Sequence, residues 1–146
     1  MYLLDTTHCI RFLYSDPSVL NKIKSLDKTD VSINVIVGGE MLYGIYKSSF
    51  FEVNIKHLGE FFDSINIYPI NNETSDFYAR LKIGIIRSFG PQDKRKLRNT
   101  TTESLGFKEN DLWIAASAIQ HDLILVSGDS HIWKLKGIEG LRVENW

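Results

Sequence analysis

The sequence predicts an α/β protein, a three-layer α/β/α domain built on a central parallel sheet. Two patterns lead there: short apolar runs closed by turn or cap residues, and longer segments with apolar residues at three- and four-residue steps. A third observation is that the two kinds of segment alternate along the chain, which requires crossover connections. Strands joined that way run parallel and are covered by helices on both faces.

The elements follow in order. Residues 2–4 are a short apolar run ending in Asp5, a buried strand. Asp16-Pro17 pairs an N-cap with proline at the first helical position and opens a helix over roughly 17–26. Val31-Ser32-Ile33 reads as a second strand, and residues 36–47 as a helix carrying Met41, Tyr43 and Ile45. Val53, Ile55, Leu58, Phe61 and Phe62 cover one face of an amphipathic segment over 52–63. Ile65 to Tyr68 forms a third strand closed by Pro69. Phe77, Leu81 and Ile85 mark a long helix over 73–88, stopped by Gly90-Pro91. The polar, basic and threonine-rich stretch 90–108 reads as a loop, long for a compact domain. An alanine-rich helix spans 110–121, Leu123 to Val126 is a fourth buried strand, and Leu141-Arg142-Val143 a short last one.

The 146 residues, 43% hydrophobic and 24% charged, suit one globular domain over 1–146. Cys9 is the sole cysteine, so no intrachain bridge can form, as expected of a reducing, cytoplasmic compartment. The start, Met1-Tyr2-Leu3-Leu4-Asp5, has no basic region of a signal peptide, and no apolar run approaches the roughly eighteen residues of a membrane span. The net charge of −1 argues against general nucleic-acid affinity, but its distribution is uneven. Arg80, Lys82, Arg87, Lys94, Arg95, Lys96 and Arg98 are opposed within their stretch by Asp93 alone. An ordinary solvated helix face and loop would show the same run.

Open parallel sheets bind ligands beyond the carboxyl ends of their strands. Asp5 ends the first strand, Glu40 lies near the start of the helix after the second, Asp111 opens the alanine-rich helix, and Asp129 follows the fourth strand. Singly, each has a structural explanation: Asp111 complements a helix dipole, and Asp129 caps or turns. Together they would repel one another unless a cation sits among them. Hard oxygen donors suit Mg²⁺ or Mn²⁺, and such ions assist in-line attack of water on a phosphodiester.

Tyr2-Leu3-Leu4-Asp5-Thr6 resembles the first motif of PIN-domain toxins of the VapC family. Ile33-Asn34-Val35-Ile36 with Glu40 and Leu42-Tyr43-Gly44 is similar to the second, Glu109 to Ala116 to the third, and Leu125-Val126-Ser127-Gly128-Asp129 to the fourth. The ending, Gly140 to Trp146, is also similar, so the resemblance runs nearly the whole chain in order. It implies a PIN-like fold and a Mg²⁺- or Mn²⁺-dependent endoribonuclease that cleaves tRNA or another structured RNA. It further implies a homodimer and a VapB-like antitoxin partner. By the family pattern Asp5 and Asp111 are metal ligands, with Glu40 and Asp129 completing the catalytic acids. Thr7 stands where the family commonly has asparagine, although Thr6 keeps a hydroxyl beside Asp5 for a supporting hydrogen bond. Val37-Gly38-Gly39 replaces a more usual threonine-containing approach to the second acid, and 92–105 resembles an insertion. Its Lys94, Arg95, Lys96 and Arg98 are candidate RNA contacts.

Other classes fit less well. A receiver domain needs an adjacent acidic pair, and a haloacid-dehalogenase-type phosphatase a second aspartate at position 7, which is Thr7. No glycine-rich turn follows the first strand, against a dinucleotide or P-loop site. His8, His57, His121 and His131 show no zinc-ligand spacing, Cys9 reads as core, and Trp113 and Trp133 as core aromatics. The competing function is a PIN-like subunit that does not cut and acts as a binding module in a protein or operator-DNA complex. Retention of all four acids favours the enzyme.

Overall fold

Among the residues described by the computed structural model, 1–27 and 30–146, five short strands form one sheet. They are β1 (Tyr2–Leu4), β2 (Val31–Asn34), β3 (Asn66–Tyr68), β4 (Ile124–Val126) and β5 (Arg142–Glu144). The order is β3-β2-β1-β4-β5, and every neighbouring pair is parallel. The central strands carry the core: Leu3, Leu4, Ile33, Leu125 and Val126 are fully buried, whereas edge strand β3 leaves Ile67 exposed. The expected fold class is therefore present.

The chain steps from β1 outward to β2 and β3, then returns past β1 to β4 and β5. Right-handed crossovers send connections in opposite directions over opposite faces, so the sheet is covered on both sides. The reversal makes a switch point between β1 and β4, where the two connections leave a crevice at the carboxyl edge. Leu4 pairs with Val126 there, and the Asp5 amide donates to the Val126 carbonyl at 3.0 Å.

Helices α2 (Pro17–Lys24), α3 (Val35–Tyr46), α4 (Phe51–Asp63), α5 (Asn72–Phe89) and α7 (Glu109–Gln120) lie where the periodicity places them. Asp16 caps α2 by accepting from Ser18 and Val19, with Pro17 in the first turn. Asn71 and Thr74 form a reciprocal capping box that starts α5. Three helices depart from the sequence reading. Helix α1 (Thr6–Leu13) follows β1 without a loop, because the Asp5 side chain accepts from the His8 amide and starts the turn despite β-branched residues. Helix α8 (Ser130–Lys134) starts the same way from Asp129.

The third departure corrects the loop expected over 90–108. Asp93 accepts from the Arg95 and Lys96 amides and caps α6 (Lys94–Leu97), and Glu103–Leu105 make a 3-10 turn. Gly106 ends that turn at φ +87°, a conformation that favours glycine. Phe107 then buries its ring against Phe89, with centroids 5.5 Å apart, which folds the segment back onto α5.

Candidate active site at the carboxyl edge of the sheet

Each acid is delivered by a strand end or a helix start. Asp5 is buried as the cap of α1. Its Oδ1 accepts from the His8 amide at 2.7 Å and faces His8 Nδ1 at 2.9 Å, which leaves Oδ2 outside the cap. Glu40 lies in the second turn of α3, half-buried, with Oε2 accepting from the Thr6 hydroxyl and Oε1 from Asn110 Nδ2 at 2.6 Å. Asp111 sits in the first turn of α7. Asp129 caps α8, accepting from the His131 amide at 2.7 Å, and its own amide donates to the Ser127 hydroxyl at 3.1 Å.

Two neighbours hold these elements in place. Buried Asn34 ends β2, caps α3 through the Val37 amide at 3.0 Å, and donates to the Ser117 hydroxyl of α7 at 2.9 Å. On the far side of α7, Glu109 is fixed by the Tyr78 hydroxyl and by Lys82 at 2.5 Å, while the Tyr78 and Trp113 rings stack at 3.9 Å. The helix carrying Asp111 is thus tied to β2 and to α5 at once.

The other three acids act on Asp111 through their charge. The Asp111 carboxyl is pushed up from 3.8 to about 6, first by burial and then by the charges of Asp129, Glu40 and Asp5, with Lys108 pulling the other way. A carboxyl in that position is stabilised by any cation that replaces its lost hydration. Among the described residues, no three His, Cys, Asp or Glu side chains stand close enough to share one ion. Glu40 has both oxygens occupied by donors and Asp5 has one. A Mg²⁺ ion is commonly held by one or two carboxylates and several waters, so the donor set fits such an ion without a preformed cage.

Lys94, Arg95, Lys96 and Arg98 are all exposed, the first three on α6. Their segment meets the acidic edge through its far end. Phe107 packs edge-on against His131, whose Nδ1 lies 3.4 Å from Asp129.

Sequence reasoning gave His8, Asn34, Asn110, Lys108 and Asn145 no role of their own. His8 had a signal, since Asp5, His8 and Arg11 fall three residues apart on one helix face. Asn110 and Asn145 had none, because their partners are distant in sequence.

An open parallel sheet whose adjacent central strands end near Asp5 and Asp129 defines a class: α/β domains that place their functional side chains at the switch point of the carboxyl edge. The PIN domain family model matches residues 2–138, and the chain belongs to that family. It is 28% identical to Ribonuclease VapC2 of Rickettsia felis over 148 residues, covering 100% of this chain and 98% of the relative. It is 26% identical to Ribonuclease VapC2 of Haemophilus influenzae, covering 99% and 97%. Among solved structures, VapBC2 from Rickettsia felis bound to a DNA fragment from their promoter superposes with a TM-score of 0.77 at 26% identity, covering 99% of this chain and 98% of that one. FitAcB from Neisseria gonorrhoeae shares the fold, with a TM-score of 0.74 at 23% identity, covering 99% and 97%. No described helix is long and apolar enough to cross a membrane.

Proposed function

We propose that this PIN domain, spanning residues 1–146, is a Mg²⁺- or Mn²⁺-dependent endoribonuclease and the toxin of a VapBC-type pair. The observation that carries the reading is the placement of Asp5, Glu40, Asp111 and Asp129 at strand ends and early helix turns along the carboxyl edge of the sheet. There burial first, and then the charges of the other three, push the Asp111 carboxyl up to about 6. Such a cluster is costly unless a cation joins it, and the ribonuclease names of the relatives supply the reaction class.

In this reading Asp5 and Asp111 hold the ion, and Glu40 and Asp129 complete the site. When bound, the ion supplies a nucleophilic water and neutralises charge on the leaving oxygen. The chain's own residues arrange the rest. Thr6 and Asn110 aim the Glu40 carboxylate, and the buried position of Asp5 keeps bulk water from one side of the site. The exposed cations Lys94, Arg95, Lys96 and Arg98 hold the RNA backbone, which the uncompensated acids would repel. The substrate is tRNA or another structured RNA.

A VapB-like antitoxin is the proposed partner, as the solved VapBC2 relative suggests. A groove of about 360 Å³ beside Glu40 gives it a surface; Ile10, Leu13, Tyr14, Met41 and Ile45 line it together with that acid. The active form is a homodimer, and its place is the cytoplasm, where buried Cys9 stays reduced.

The test is cleavage of total RNA by purified protein in Mg²⁺, in Mn²⁺ and in EDTA, with Asp111→Asn as control. Cleavage that needs either ion and Asp111 supports the reading. Undiminished cleavage in EDTA would replace it with metal-free acid–base chemistry. Metal binding without cleavage would favour the non-cutting subunit.

A further inference from the structure

Asp5 is oriented by a residue outside the four acids. His8 is fully buried, although nothing in a metal site requires a histidine at that place. Its backbone and its ring both reach Asp5 Oδ1, at 2.7 and 2.9 Å. A carboxylate only accepts, so Nδ1 must carry the hydrogen and donate. In the neutral ring Nε2 is then the acceptor, and Arg11 Nη1 lies 3.1 Å from it. Arg11 is itself held by Asp16 at 3.0 Å, Ser18 at 2.7 Å and the Trp146 carbonyl at 2.8 Å.

Asn145 completes the arrangement from the other end of the chain. Its side-chain amide faces His8 Nε2 at 3.1 Å through Oδ1, and a half-turn would present the NH₂ group as a second donor. The same amide lies beside Gly128, where an added Cβ would sit 3.5 Å from Oδ1. Gly128 belongs to the turn that delivers Asp129. Asn145 therefore bridges the Asp5 side of the site and the Asp129 side, 137 residues from His8 in sequence.

We propose that His8, backed by Arg11 and Asn145, is a positioning residue that saturates Asp5 Oδ1 and so directs Oδ2 to the metal. The inference rests on the reading of Asp5 as a metal ligand. Partners that orient a ligand typically set metal affinity by 10–100-fold.

Two substitutions separate the ring's two edges. In His8→Asn the amide NH₂ occupies the place of Nδ1 and can still donate to Asp5. In His8→Gln the longer side chain puts its amide near the place of Nε2, toward Arg11 and Asn145, and loses the donation to Asp5. Asn145→Ala removes an exposed side chain, so it tests the relay without opening a buried cavity.

The experiment is Mn²⁺ binding to RNA-free protein, followed by electron paramagnetic resonance of the free ion, with thermal melts in EDTA. Wild type should bind, and Asp111→Asn should not. Binding should weaken on the order of 10–100-fold in His8→Gln and a few-fold in Asn145→Ala. His8→Asn should restore most of the affinity, and Asn145→Ala should melt near wild type. Wild-type affinity in both His8→Gln and Asn145→Ala would overturn the positioning role while leaving the metal site standing. Equal loss in His8→Asn and His8→Gln, matched by equal loss of melting temperature, would overturn it too and make His8 a packing residue. Failure of wild type itself to bind Mn²⁺ would instead remove the metal-site reading, and this inference with it.

Discussion

Asn110 donates a 2.6 Å hydrogen bond to Glu40, tying the helix that carries Asp111 to the helix that carries Glu40. Thr6 holds the other Glu40 oxygen. Removing both donors, with Thr6→Ala and Asn110→Ala together, should leave Glu40 free to turn toward solvent. Cleavage should fall on the order of 10–100-fold. The melting temperature should hardly move, because Asn110 is exposed and Thr6 only half-buried. Single-turnover rates at saturating Mg²⁺ beside thermal melts make the comparison. A loss of stability in proportion to the loss of rate would mean that the pair only braces the fold.

Asp5→Asn and Asp111→Asn should each abolish cleavage without unfolding the protein. An asparagine at position 5 still caps α1, since its carbonyl can accept from the His8 amide. Stability of Asp5→Asn should therefore stay within about 1 kcal/mol of wild type. Urea unfolding in EDTA checks this. Residual cleavage near wild type in either variant would take that aspartate out of the site.

Metal-free stability should depend on pH through Asp111. Its folded-state pKa of about 6 lies above the ordinary 3.8, so the native state binds the proton more tightly than the unfolded chain. Stability then falls as pH rises from about 4 through 6, and the penalty is fully present at pH 7. Asp111→Asn escapes it. After allowance for solvent screening of a partly exposed group, the variant should exceed wild type by on the order of 1 kcal/mol at pH 7. The advantage should vanish below pH 4. Parallel urea titrations in EDTA at several pH values read the difference, and a gap that does not narrow on acidification would assign the stabilisation to something else.

Asn34→Ala should be far more damaging than its size suggests. It removes the cap of α3 and the donor to Ser117, both at a buried position. The two losses together should cost roughly 2–4 kcal/mol. Denaturant midpoints measure it, and a change under 1 kcal/mol would show that water replaces both bonds.

The basic segment can be tested by salt. For single strands each neutralised phosphate contributes about −0.7 to the slope of log K against log salt. Replacing Lys94, Arg95, Lys96 and Arg98 by alanine should flatten that slope by at most roughly 3 and weaken binding alike across RNA sequences. Binding is measured with the Asp111→Asn background to prevent cleavage. An unchanged slope would free α6 from any phosphate role, and weaker antitoxin binding alone would reassign it to the partner.

The sequence by itself determined what depends on neighbours along the chain. Leu3-Leu4 before Asp5 and Leu125-Val126 before Asp129 are apolar runs closed by acids, so strands ending in carboxylates were legible. Asp16-Pro17 and the repeat of Phe77, Leu81 and Ile85 marked helix start and face for the same reason. Helices α1, α6 and α8 were not, because each is short and starts from an aspartate whose capping bond has little periodicity behind it. Only the tertiary structure decided which distant groups meet. The strand order sets β1 beside β4 and so brings the chain ends that carry Asp5 and Asp129 to one edge of the sheet, and packing then seats Asn110 on Glu40 and Asn145 on His8. These contacts join residues 70 and 137 positions apart. The packing of whole elements on the sheet, driven by apolar burial, sets these groups together, and no local spacing encodes it.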